Sequence, residues 1–555
     1  GGLSAARPMD NWSPQRAMAR ARAVNRRVAS LQTASPALRR PLPQMPVVAS
    51  LTLATGDVTG YTSFSALNAF DSDSNPNNHA FNRIGTEPPD QGLCVGDGIV
   101  VEVVNLVFVA YGLQGNAQSS IADLSSLFGV PQTNFLSDPR CYYDVPSQTF
   151  FITATDLGDS DPANNIWSST SSLLIGVMPA SSGQITTFEL STTDLTNPYG
   201  ICPCFADQPL LGADQNGIYI TGNEFALSQY SFFDGAEVFA ISKSDLIANS
   251  SPANAYVFPA PIGLVEGTAA SIQPAVPAQG VFDTSNNGTE YFMSSLDFNS
   301  TRDNRIAVWA MTNTCTLTSA CPNGSPLLSW EVVPTSTYGV PPRAHQMKSV
   351  FPVGQSVRAR LETIDTGDDR LQQVVYAGGK LYAGLTTVLK VGGRLHSGIL
   401  YFIVQPSISA GAISVASISA NYAALTGADL YYPSIAANSN GSAVMAFSMS
   451  GPHYFPSSAY MPLTSDVGAQ AIYIGQAGAA SYDGASGYRR WGGRPPARWG
   501  DYSAAFADDN GNLWMASEFA GESCTKQEWL LDNTCGGIRG NFANWATSIG
   551  YIPAP

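Results

Sequence analysis

Five aspartates stand where short apolar runs begin: Asp90, Asp138, Asp207, Asp369 and Asp501. A second polar set closes the runs that follow, at Asn105, Asp156, Glu224, Asp297 and Glu518. Arginines recur beside the first set, at Arg140, Arg370 and Arg498. Gathered in one place, such carboxylates can hold a hard cation, and calcium is the ion that carboxylate and carbonyl oxygens suit. Crowded carboxylates also raise one another's pKa, which is the condition for acid–base catalysis near neutral pH. Converging guanidiniums can clamp a carboxylate ligand through paired N–H donors. The competing use is structural. A repeated carboxylate at a strand entry accepts backbone N–H bonds, and Arg–Asp pairs lock adjacent units.

The candidate ligand-binding set is therefore Asp90, Asp138, Arg140, Asp207, Glu224, Asp369, Arg370, Arg498, Asp501 and Glu518. The five aspartates are the candidate metal ligands. No residue stands out as a catalytic group on its own. A sialidase-like use of the arginines would want a tyrosine nucleophile with a glutamate partner. Tyr142, Tyr143, Tyr431, Tyr432, Tyr502 and Glu224 are available, but the S-x-D-x-G-x-x-W box is absent. The four histidines, His79, His345, His396 and His453, form no close metal pair, and there is no G-x-S-x-G elbow, P-loop or dinucleotide fingerprint.

These residues need elements that bring them together, and a repeat supplies them. The template is a polar start, an apolar strand, a turn with Asp or Asn and Gly, and a second apolar strand ending in a polar residue. From Asp207 the turn glycine Gly217 lies ten residues on and Glu224 seventeen. Asp501, Gly511 and Glu518 keep both spacings, as do Tyr431, Gly441 and Ser448, and Asp369, Gly379 and Thr386. Looser copies begin at Asp90, Asp138 and Gln273. A unit of this kind buries both faces of its small sheet only by stacking on neighbours around an axis.

Seven copies predict an all-β fold, a seven-bladed β-propeller over residues 47–555. Inner strands would start near 90, 138, 207, 273, 369, 431 and 501, with the polar residues gathered on one face. Trp545–Tyr551 reads as a late strand of the last blade, and Val47–Thr55 as the edge strand that closes the ring. Residues 1–46 read as a basic N-terminal extension or pro-segment. Residues 1–50 carry eight Arg and one Asp, whereas the whole chain of 555 residues has a net charge of −15.

Composition narrows the function. Charged residues make up 12% of the chain, against about 25% in ordinary soluble domains. An acidic surface excludes nucleic acid as a partner, and no apolar run is long enough to span a membrane. Eight cysteines are an even number. Cys315 with Cys321 and Cys524 with Cys535 bracket short loops and read as local disulfides. Cys94, Cys141, Cys202 and Cys204 are left, with three possible pairings, and are expected to cross-link the first three blades. Disulfides imply an oxidising compartment. Tryptophans crowd the last blade at Trp491, Trp499, Trp529 and Trp545, where they serve either sugar stacking or packing.

Several motifs resemble a family of secreted bacterial β-propeller proteins. They are Glu87-Pro88-Pro89-Asp90, Asp138-Pro139-Arg140, Cys202-Pro203-Cys204-Phe205-Ala206-Asp207-Gln208-Pro209 and Arg498-Trp499-Gly500-Asp501-Tyr502-Ser503. The resemblance covers about residues 85–551 and implies fold and secretion, but no activity. The expectation is a secreted binding or scaffold module, calcium-stabilised, for an extracellular glycan or protein. The alternative is a glycoside hydrolase or lyase using the axial carboxylates.

Overall fold

The apolar runs form antiparallel strands, and the polar breaks between them form turns. A computed structural model describes residues 42–73, 86–159, 168–193, 202–227, 233–260, 262–264, 267–296, 302–319, 321, 323–491, 493–540 and 542–555. The all-β class holds. The first strand, β1 (Thr62–Asn68), stands apart from the rest in sequence. Strands β2 to β5 (Gly92–Gly96, Ile99–Val104, Val107–Gly112, Ala122–Asp123) make one sheet. Strands β6 to β9 (Leu136–Asp144, Thr149–Asp156, Ser172–Pro179, Thr186–Ser191) make the next, and β10 to β13 (Cys204–Ala213, Gly217–Ala226, Phe233–Ser242, Ala255–Phe258) the third.

A short hairpin, β14 and β15 (Gly263–Leu264, Gly267–Thr268), follows. An eight-stranded sheet joins two four-stranded halves. They are β16 to β19 (Gln273–Pro277, Thr289–Ser295, Arg302–Thr312, Leu327–Gly339) and β20 to β23 (Leu371–Ala377, Lys380–Val391, Arg394–Ser409, Ala412–Ala423). Their first strands run parallel, with Ala275 opposite Val374. Strands β24 to β27 (Asp429–Ala437, Ala443–Gly451, Tyr454–Pro462, Tyr473–Gln476) form the next sheet. In the last, β28 to β30 (Ala504–Ala507, Leu513–Ala520, Trp545–Ile552) pair with β1.

The first strands stack in chain order. β2 lies against β6, β6 against β10, β10 against β16, β16 against β20, β20 against β24, β24 against β28, and β28 returns to β2. These strands and their second partners are buried on both faces, as throughout Cys204–Ala213 and Gly217–Ala226. Outer strands such as Thr186–Ser191 are half exposed. That gradient is what a central ring of small sheets dictates.

Three turns share a device the template registered only as Asp or Asn near Gly. Asp214 Oδ1 accepts from the N–H of Asn216 and Gly217, both at 2.7 Å. Asn438 Oδ1 accepts from Asn440 and Ser442 at 3.1 Å, and Asp508 Oδ1 from Asn510 and Asn512 at 2.9 Å. Each side chain replaces the backbone partner that the tight turn removes.

Ring closure differs from the sequence expectation. The strand beside β30 is Thr62–Asn68, with Phe64 opposite Ile549. Val47–Thr55 instead crosses the outside of two sheets. Val48 N donates to Lys390 O at 3.0 Å, Leu51 N to Ala424 O at 2.8 Å and Ala54 N to Ile472 O at 2.8 Å. Val48, Leu51 and Leu53 pack against the sheets there, through isolated bridges and not a ladder. Most of the expected extension, residues 1–41, lies outside the described residues, as does Asp297.

Four disulfides are present. Cys315–Cys321 and Cys524–Cys535 pair as expected. Cys94–Cys141 joins β2 to β6, a cross-link between sheets. Cys202–Cys204 is local and links no two sheets, a departure from the expected cross-links. No helix among the described residues is long and apolar enough to cross a membrane.

Candidate functional site

A bulge at the entry of the inner strands builds the site. The register shifts between Ser137 and Arg140 in β6, Asp207 and Leu210 in β10, Leu371 and Val374 in β20, and Tyr431 and Ser434 in β24. In three of these the inserted pair ends in proline, at Pro139, Pro209 and Pro433. Proline has no N–H to give a ladder, so a bulge tolerates it. The residue before it is left-handed, with φ of 55° at Asp138, 51° at Gln208 and 56° at Tyr432. Asp90 has the same backbone, with φ of 48°.

At three strand entries a polar residue of the preceding sheet accepts a backbone N–H. Asn105 Oδ1 accepts from Asp138 N at 3.0 Å, Asn223 Oδ1 from Ser271 N at 2.8 Å, and Thr386 Oγ1 from Tyr432 N at 3.0 Å. At the ring seam Asp90 Oδ1 accepts from Asp501 N at 2.6 Å, and Asp90 Oδ2 from Asn105 Nδ2 at 2.8 Å.

Three of the five aspartates converge. One oxygen each from Asp90, Asp138 and Asp501 lie within 4.8 Å of one another. Asp207 adjoins them, since its charge acts directly on Asp138. Asp138 Oδ2 is buried and has no hydrogen-bond partner among the described residues. Burial, then Asp207 and Asp501, push Asp138 up to about 8. Burial raises Asp207 to about 7 against the pull of Arg370. Burial and the Asp501 and Asp138 charges hold Asp90 well above the carboxylate range. Glu518 is raised too, by burial and then by Asp90 and Asp501.

The arginines divide in their roles. Arg370 holds Asp368 with Nε and Nη2, both at 2.8 Å, and Nη1 donates to Gln208. It is committed to structure. Arg498 Nη2 pairs with Asp501 Oδ2 at 2.7 Å, while its Nη1 is buried without a partner among the described residues. Burial opposes the Arg498 charge, but Asp501 and Asp90 outweigh it. Arg140 lies 3.3 Å from the centre of the Tyr502 ring, and burial lowers its pKa. Its Nε and Nη2 are buried without partners among the described residues. Tyr502 Oη donates to Pro139 O at 2.9 Å, tying the last sheet to the second.

Six carboxyl groups thus face three guanidiniums in a buried space. All of them cannot be ionised together at ordinary cost, since like charges in a low dielectric repel strongly. The excess is neutralised either by protons on the carboxyls or by a bound cation. Asp90, Asp138 and Asp501 are the residues that fit a hard cation, because one carboxylate oxygen of each converges and Asp138 Oδ2 has no hydrogen-bond partner among the described residues.

Other expected members lie elsewhere. Glu224 sits with Asp234 beside Cys202 and Cys204, and its neighbour Asn223 takes the position expected of it. One residue along a strand changes the face. Asp156 pairs with Asn134 Nδ2 at 2.9 Å, away from the axis. Asp369 is buried but outside the converging three. Glu518 does reach the ring and accepts from Gly500 N at 3.0 Å. A Cβ at Gly500 would stand 2.0 Å from Glu518 Oε1, so any larger residue here must push the Glu518 carboxyl aside.

The axis is capped. Ala344, Ile364 and Ala497 bridge to one another and share a buried cluster with Tyr431, Tyr432, Tyr482 and Trp499. Glu87 accepts from Ala485 N at 2.6 Å and from Ser486. Asp90 and Asp138 are 2% exposed beneath this cover. Trp499 and Trp545 are buried, and Trp491 and Trp529 pack on Phe542 in the cap. Packing is therefore their use.

Sequence reasoning missed two clusters. Arg539, 1% exposed, is held by Glu522 Oε1 at 2.7 Å. His345 Nδ1 and His396 Nδ1 both lie on Asp429, at 3.2 and 3.0 Å. The histidines are far apart in sequence and carry no spacing signal.

No family model and no curated protein matches the chain. Among solved structures it is similar to an α-L-arabinanase from Penicillium chrysogenum, at 12% identity, TM-score 0.34, covering 75% of this chain and 92% of that one. It is similar to an α-L-arabinofuranosidase from Podospora anserina, at 8% identity, TM-score 0.31, covering 90% and 98%. An α-L-arabinofuranosidase from Fusarium graminearum gives 10% identity, TM-score 0.33, covering 74% and 91%. Likeness at this level assigns neither blade number nor activity.

Proposed function

We propose that this chain is a secreted seven-bladed β-propeller that cleaves an extracellular glycan, as a glycoside hydrolase or lyase, with carboxylates at its axis. One observation carries the reading. Asp138, whose Oδ2 has no hydrogen-bond partner among the described residues and whose pKa is pushed up to about 8, has a carboxylate oxygen within 4.8 Å of one of Asp501, which is ion-paired to Arg498. A proton-bearing carboxyl beside a second carboxyl held by an arginine is a pair suited to glycoside cleavage.

In this reading Asp138 gives its proton to the leaving glycosidic oxygen, and Asp501 is the nucleophile or base. Their closeness resembles the roughly 5–5.5 Å of retaining enzymes more than the roughly 6.5–9.5 Å of inverting ones. Substrate reaches Asp138 only when the cap formed by segments 340–370 and 478–500 parts. The four disulfides support an oxidising, extracellular setting.

The depth of the cluster favours a second reading. Asp90, Asp138 and Asp501 then hold calcium, and the propeller is a binding or scaffold module for a glycan or protein. The test is a polysaccharide panel assayed for new reducing ends and for unsaturated ends, with and without chelator. Cleavage that survives chelation and is lost in Asp138→Asn supports the enzyme. No cleavage, with a melting temperature that falls on chelation, supports the scaffold.

A further inference from the structure

Cys202–Cys204 is unlike the other three disulfides. It spans a sequence separation of two, against 47 for Cys94–Cys141. A cross-link constrains the unfolded chain by an amount that grows with loop length, so this bond contributes least to stability. Its two sulfurs also differ in access: Cys202 is half-buried and Cys204 fully buried.

Two carboxyl groups stand at the bond. Glu224 comes from β11 and Asp234 from β12, and both are buried. One oxygen from each lies within 4.8 Å of both sulfurs. The surroundings are apolar, with Phe205, Phe225, Leu227 and Phe233 in one buried cluster. Thiolate is the attacking and leaving form in disulfide exchange, and a buried thiolate needs a proton partner.

We propose that Cys202–Cys204 is a thiol–disulfide exchange site whose proton is handled by Glu224 and Asp234. The co-reactant is a thiol, of a small molecule or of another protein. Its thiolate attacks Cys202 Sγ, the half-buried sulfur, and a new S–S bond forms there. The Cys202–Cys204 bond breaks, and Cys204 leaves with the electron pair. It takes a proton from the Glu224 or Asp234 carboxyl. A second thiol of the reductant then attacks the mixed disulfide, leaving Cys202 and Cys204 reduced and the reductant oxidised. Reoxidation runs the same steps backwards and returns the proton.

The test is equilibration of the folded protein in graded glutathione buffers, followed by alkylation and peptide mapping. Cys202–Cys204 should open first. Half reduction should need a reduced-to-oxidised ratio at least about tenfold lower than for Cys94–Cys141, which is about 30 mV for a two-electron couple. The melting temperature should stay near that of the oxidised protein. In Glu224→Gln and Asp234→Asn the pH dependence of the opening rate should shift, which a packing role for these groups would not cause. Opening of Cys202–Cys204 only together with Cys94–Cys141, or only on unfolding, overturns the proposal. So does an unchanged pH profile in both variants. Because wild-type protein gives the first readout, a variant that fails to fold leaves the test intact, and glycan cleavage does not enter it.

Discussion

Asn105 ties Asp90, at the entry of the first sheet, to Asp138, in the second. Its Oδ1 accepts from Asp138 N at 3.0 Å and its Nδ2 donates to Asp90 Oδ2 at 2.8 Å. A single amide thereby fixes two of the three converging aspartates and joins the first sheet to the second. Asn105→Ala leaves a buried N–H and a buried carboxylate oxygen without partners. It should destabilise the protein by about 2–4 kcal/mol in denaturant unfolding.

Stability should fall as pH rises from about 4 to about 8 in the presence of chelator. Asp138 and Asp207 titrate at about 8 and about 7 in the folded protein, and Glu102 and Asp73 at about 7, all pushed up chiefly by burial. The unfolded carboxyls lose their protons nearer 4. Between those values the folded state binds more protons, so each rise in pH costs folding free energy until the folded pKa is passed. Thermal melts from pH 4.5 to 8.5 measure this slope. Calcium at the axis would flatten it, because the ion replaces the protons.

Lys243 bridges the second and third sheets. Its Nζ meets Asp144 Oδ1 at 2.8 Å and Asp214 O at 2.6 Å, with both charged side chains buried. Lys243→Met strands a buried carboxylate and should cost about 3–5 kcal/mol. Adding Asp144→Leu should recover part of that loss, as a double-mutant cycle in urea would show.

Gly500→Ala should destabilise by about 1–3 kcal/mol, because its Cβ would meet Glu518 Oε1 and displace a buried side chain. Gly98→Ala, at an open turn, meets no neighbour. Its cost is the φ of 75° alone, about 1 kcal/mol. Comparing the two melting temperatures separates crowding from backbone strain.

The strand entries were legible because a fixed turn spacing survives in four copies of the repeat. What the template could not show was the two-residue bulge. It sets Asp138 in the left-handed position while Asp207 remains in the strand before it, where Gln208 is left-handed instead, so residues that align in sequence are not equivalent in space. The same shift of one residue sends Glu224 to the disulfide and leaves Asn223 at the ring. Of the two uses the sequence leaves open for Arg370, clamping a ligand or pairing with an aspartate, the structure shows the second, with Asp368, two residues earlier, holding it. The closing strand was misplaced because Val47–Thr55 is more apolar than Thr62–Asn68, and apolarity does not distinguish a strand from a strap packed across sheets.

The central claim is that Asp138 carries a proton at neutral pH beside Asp501, which is paired with Arg498. Infrared difference spectra of the protein across a pH titration report protonated carboxyl groups directly. The account requires a carboxyl band that persists at pH 7, titrates near about 8 and is missing from Asp138→Asn. A spectrum with no such band at pH 7, or one in which calcium removes it at neutral pH, would contradict the claim and leave the cluster as a cation site.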